Sequence, residues 1–121
     1  WTHNQHKKEV LRDLEKLDLF HVEQFAQLVR KMDAIKEGEG TLLDNVMFTM
    51  GSGLSRGSLH ECTNLPTVVA GLGGGALSAN QHIKHPKGTP ISNLWLSMAK
   101  IMGANKNRIG DSTGLLGNWL S

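Results

Sequence analysis

Tyrosine is absent from this sequence, and aromatic residues make up only 5% of it. Any core must therefore come mainly from aliphatic side chains. There is one cysteine, Cys62, which excludes an intrachain disulfide and fixes no redox compartment. No apolar run approaches the about 18 residues of a membrane span, so none is expected. No signal peptide is recognisable at the start. The formal net charge is only +2, and the lysines are scattered rather than striped, which gives no basis for a nucleic-acid partner. At 121 residues the chain holds one domain at most. It begins with Trp1 rather than methionine, which reads as processing or as a piece of a longer protein.

The first third carries helical spacing. Val10, Leu11, Leu14 and Leu17 form one apolar stripe, and Phe20, Phe25, Leu28, Val29, Met32 and Ile35 form another. Asp18 between them is an N-cap candidate. This predicts helices over about 8–36, the first ending near Lys16 and the second running from about Leu19 to Lys36. Glycines 38 and 40 supply the stop.

A strand–loop–strand unit is expected over about 45–70. Asn45 to Met50 is mostly apolar without alternation, and Thr67 to Ala70 repeats the pattern after Pro66. Such runs suit strands covered on both faces, as in parallel sheets. The loop between them lacks the periodicity of a crossover helix and is longer than ordinary connections, which marks it as functional. Residues 71–90 form a glycine- and histidine-bearing loop. Thr89-Pro90 opens a helix over about 91–102, with Ile91, Leu94, Trp95, Met98, Ile101 and Met102 on one face and Gly103 at its end. The tail, 103–121, is read as an extended loop that packs back on the body, with Trp119 in its apolar ending. Two or three strands cannot satisfy a sheet buried on both faces. The expected architecture is therefore α/β and incomplete: a single partial domain, 1–121.

Several motifs invite a function. Gly71-Leu72-Gly73-Gly74-Gly75-Ala76 fits a dinucleotide-binding fingerprint, but neither the helix nor the later acidic residue that such sites need follows it. The loop is read as architectural. Gly110-Asp111-Ser112-Thr113-Gly114 is superficially similar to a serine-protease nucleophile loop. It is read as a turn bonding its own backbone, because the base and orienting acid have no counterpart. His60 and Cys62 end the long loop, and their side chains can converge if the segment is extended. His3 with His6, or His82 with His85, can join them in a metal site built from several loops. The alternative is exposed loop histidines. His21, inside the helix, is read as a partly buried structural residue.

Taken in order, residues 41–53 (TLLDNVMFTMGSG), His60, Asn64-Leu65-Pro66, the glycine loop from Ala70, His82-Ile83 with Pro86, Thr89-Pro90 with Asn93-Leu94, Met102-Gly103 and Gly110-Asp111-Ser112-Thr113-Gly114 with Leu116 resemble the C-terminal part of a secreted bacterial family (domain of unknown function 1552). That family is similar to the alkaline phosphatase and sulfatase superfamily. The resemblance implies the C-terminal portion of a three-layer sandwich with a mostly parallel central sheet. It also implies export to a periplasmic or extracellular setting, and hydrolysis of phosphate or sulfate esters with a divalent metal, zinc or similar. By position, His60 and His3 match metal ligands. Asn4 stands where the family shows a second histidine, and Arg56-Gly57-Ser58-Leu59 replaces a stretch with an acidic residue and an asparagine. An arginine at a cation site opposes cation binding.

Two readings follow. One is a metal-dependent hydrolase whose active site is incomplete in these residues. The other is a non-catalytic binding or assembly subunit of a larger complex. In either, the missing N-terminal part of the same protein or another chain completes the sheet.

Overall fold

Nothing between residues 8 and 34 stops a helix: the segment has no glycine and no proline, and one apolar stripe runs along it among further, exposed apolar residues. The computed structural model describes residues 2–117, and Trp1 and residues 118–121 lie outside the described residues. A 3₁₀ turn, Thr2–Asn4, leads into a single helix, α1, Lys8–Ala34. The predicted break at Asp18 does not occur. Val10, Leu14, Phe25, Val29 and Met32 all point to the covered side across that position. An exposed aspartate inside a helix costs at most about 0.7 kcal/mol, too little to interrupt 27 residues. His21 is fully on the exposed side, beside Phe20, and not partly buried as expected.

The helix stops at Ala34, and the chain turns through a tight hairpin of β1 (Lys36–Glu37) and β2 (Gly40–Thr41) that the sequence reading treated only as a stop signal. Thr41 and Asp44 then form a reciprocal capping box on a one-turn helix, α2, Leu42–Asn45. This turn takes Asn45, where the strand was expected to begin. The strand β3 starts later, at Phe48, and ends at Gly51. Its partner β4 occupies Thr67–Ala70, as predicted.

The two strands pair antiparallel, Phe48 opposite Ala70 and Gly51 opposite Thr67, which corrects the expected parallel arrangement. The reason lies in the connection. Parallel neighbours need a crossover long enough to carry the chain back, usually a helix. The segment 52–66 contains none and folds instead into a loop closed by an Arg56–Glu61 bridge. The described residues thus form an α/β fold with two small antiparallel sheets.

Coverage on both faces does occur. Opposed residues share a face and successive ones alternate. Phe48 faces α1, where its ring stacks on Phe25 with centroids 4.9 Å apart and planes within 6°. Val69 faces the other way, into a cluster centred on Leu77 and Leu94 with Met47, Ile83, Met98, Ile101 and Leu116. Leu94 belongs to α3, Ser92–Ile101. Within that helix the assumed apolar face is only partly right: Trp95 and Met102 are exposed, whereas Leu96 is 2% exposed.

The glycine loop is architectural. The amides of Leu72, Gly73 and Gly74 donate to the carbonyls of Leu43, Val46 and Asp44, so the loop clasps α2. Gly71 has φ of +98°, and a side chain there would overlap the carbonyls of Val46 and Leu43. The next helix begins only at Ser92, so the helix that a dinucleotide site needs does not open at this loop.

The segment 109–116 packs back on α3. Ser112 Oγ accepts from the Ile109 amide, the backbone-bonding turn expected for this segment. Ser92 Oγ donates to Asp111. Asn93 Oδ1 accepts from the amides of Thr113 (2.8 Å) and Gly114 (3.4 Å), and its Nδ2 donates to Thr113 Oγ1. Ser97 Oγ accepts from the Leu116 amide. Trp119 lies outside the described residues. Among the described residues, no helix is long and apolar enough to cross a membrane.

Because Asn93 is buried and serves two otherwise unpaired amides, Asn93→Ala is expected to lower stability by about 2–3 kcal/mol. Denaturant unfolding followed by circular dichroism measures this. Thr113→Ala, which leaves both amide bonds in place, is expected to cost about 1 kcal/mol or less.

Candidate functional site

The loop 52–66 is built around a tight reversal. The Ser55 amide donates to the Glu61 carbonyl at 2.8 Å, and the amides of Leu59 and Glu61 both donate to the Arg56 carbonyl. Closing so short a turn forces one residue into left-handed backbone geometry, and His60 takes it, with φ of +50°. That region is uncommon for residues other than glycine, but histidine, like asparagine and aspartate, enters it more readily than most. Its imidazole is held out from the loop, exposed.

The opening segment of the chain docks on this turn. Ser58 Oγ donates to Gln5 Oε1 at 3.0 Å, a contact between residues 53 apart in sequence. Gly57 supplies the clearance: a Cβ at that position would lie 2.7 Å from Thr2 Cβ. The result brings the two sequence-predicted ligands together. The rings of His3 and His60 meet edge to face, centroids 5.1 Å apart and planes at 72°. The spacing pattern in the sequence had no means of showing Gln5–Ser58 or Thr2–Gly57, since both depend on the loop folding back over the start of α1.

The other candidates do not join them. Cys62 is exposed, and its thiol donates to the His60 carbonyl at 3.5 Å rather than approaching the His60 ring. Glu61 is engaged by Thr63, whose hydroxyl donates to Oε1 at 2.8 Å. Arg56 is exposed and forms no ion pair among the described residues; its link to Glu61 is through the backbone. Among the described residues, no group of three or more His, Cys, Asp and Glu side chains is arranged to hold a metal ion, so His6, His82 and His85 complete no such set.

Two imidazoles can nonetheless form half of a site. With about 1.2 Å from ring centre to nitrogen and about 2.0–2.1 Å from nitrogen to zinc, two rings at a tetrahedral angle have centres about 5.2 Å apart. The separation of 5.1 Å between His3 and His60 fits that requirement.

Comparison with known protein families, with curated proteins and with solved structures finds no match to this chain.

Gly57→Ala is expected to push Thr2 from the turn and part the two histidines. Nuclear Overhauser contacts between the His3 and His60 rings disappear in that variant, while those between Phe25 and Phe48 persist. Retention of the His3–His60 contacts shows that the glycine clearance does not hold the pair together.

Proposed function

We propose that this chain supplies two histidine ligands, His3 and His60, to a divalent-metal centre in a protein similar to phosphate- and sulfate-ester hydrolases. The observation that carries the reading is the ring separation of 5.1 Å between residues that lie far apart in the sequence. It adds to the ordered set of motifs resembling the C-terminal part of the secreted bacterial family, with its periplasmic or extracellular setting. In that chemistry a bound divalent ion stabilises the charge that develops on the ester as it is displaced.

The contribution of these residues is positioning. The Ser58–Gln5 hydrogen bond and the Gly57 clearance orient His3 against His60. The remaining ligands and the nucleophile come from sequence outside these residues or from another chain. Arg56 brings a cation to the turn where the family shows an acid. Its guanidinium is free to pair with an anionic ester rather than to assist metal binding.

Cobalt(II) or zinc(II) titration tests the reading. The chain is expected to bind one equivalent, and His3→Ala and His60→Ala are each expected to weaken binding at least tenfold. Equal binding by both variants and the unaltered chain sinks it.

The second reading, a non-catalytic assembly subunit, is favoured by a different observation. Leu11, Leu17, Leu19, Phe20, Val22 and Leu28 are all exposed on α1, whose 27 residues extend well beyond the short strand β3 that it meets through Phe25. A sheet with more strands, contributed by another segment of the same protein or by another chain, would cover part of that surface. Sedimentation across a hundredfold concentration range is expected to show reversible self-association driven by this face. A strictly monomeric chain with a cooperative unfolding transition counts against it.

A further inference from the structure

A depression of about 370 Å³ is lined by Asn45, Val46, Met47, Met98, Ala99 and Met102. Half of these residues are methionines, and they are three of the five in the whole sequence. Met98 and Met102 lie one helical turn apart, the Met102 amide donating to the Met98 carbonyl at 3.0 Å. That spacing puts both thioethers on the same side of the helix end. Met47 faces them from the residue pair that joins α2 to β3. It packs beneath the glycine loop, its sulfur 3.2 Å from where a Cβ on Gly73 would be.

Methionine often fills irregular gaps in a core. Met47 and Met98 do pack against the Leu77–Leu94 cluster, but Met102 does not serve that purpose: it is 71% exposed. The depression therefore has two anchored thioethers and one accessible, flexible thioether at its mouth. No charged side chain lines it, and Asn45 provides the one polar side chain.

We propose that Met47, Met98 and Met102 form a binding site for a soft monovalent cation, Cu(I) or its analogue Ag(I). Thioether sulfur is a neutral, polarisable donor that selects Cu(I) over zinc, magnesium and other harder ions. Three such donors in an uncharged depression match a monovalent ion better than a divalent one, whose charge would remain uncompensated there. The three-rotor side chain of methionine lets Met102 close over an ion held by the other two. The site is independent of the His3–His60 pair, whose borderline imidazole donors suit zinc-like ions.

The test uses the full chain carrying Cys62→Ser, which removes the exposed thiol as a competing soft ligand, with its methionine methyl groups labelled with carbon-13. Titration with Ag(I) is expected to shift the methyl resonances of Met47, Met98 and Met102 together, saturating at one equivalent. Those of Met32 and Met50 stay in place. Excess zinc(II) does not reverse the shifts. Met102→Leu keeps side-chain volume at an exposed position and so leaves folding intact. It is expected to weaken Ag(I) binding at least tenfold, and Met98→Leu to do the same. The proposal is overturned if the three methyls do not shift, if all five shift alike, if zinc(II) displaces the ion, or if Met102→Leu binds as tightly as its parent.

Discussion

The close approach of Gly71 to the carbonyls of Leu43 and Val46 is the constraint on which the rest of this fold depends. It is a backbone-to-backbone contact that no side chain can share. Through it and the three amides that follow, the end of β4 grips α2, and α2 is tied by its capping box to the hairpin that ends α1. The grip sets the register of β4 on β3, and with it the alternation that sends Phe48 to one helix and Val69 towards the other. A glycine-rich loop is therefore the joint of the molecule, although its composition invites a phosphate-binding reading.

Little apolar area is deeply buried. Leu14, Leu77, Leu94 and Leu96 are the buried hydrophobic residues among those described. Polar groups carry part of the load instead: Ser92, Asn93, Ser97 and Ser112 are all buried, and each is hydrogen-bonded. Such a network specifies geometry more than it adds stability, since each bond replaces one made to water. It holds the segment 109–116 against α3 at points a hydrophobic contact would leave free to slide.

What was legible in the sequence divides along physical lines. Thr67–Ala70 and the helix after Pro90 were readable because proline and a local apolar pattern mark them. The architectural role of the glycine loop followed from the missing helix. The Asp18 break was misread because a capping residue is also tolerated, at small cost, in the middle of a helix. Strand direction was misread because an apolar run reports burial on both faces and says nothing about how the chain returns. Residue type made His3 and His60 two of several candidate ligands, and only the resemblance singled them out as a pair. Their meeting depends on Gly57 and Ser58, whose partners Thr2 and Gln5 are more than fifty positions away. No periodicity encodes a contact of that range.

The meeting of His3 and His60 also closes a loop of 57 residues, counted from the two positions, 60 minus 3. Closure of that length carries an entropic cost, which the helix α1 and its Phe25–Phe48 contact with β3 share with the ring contact and the Gln5–Ser58 hydrogen bond. Any group gripped by both rings acts as a reversible staple across half the chain. It favours the folded state in proportion to the logarithm of its concentration over its dissociation constant. The left-handed turn at His60 then becomes a point where solution composition sets how firmly the opening segment, α1 and the 52–66 loop behave as one body.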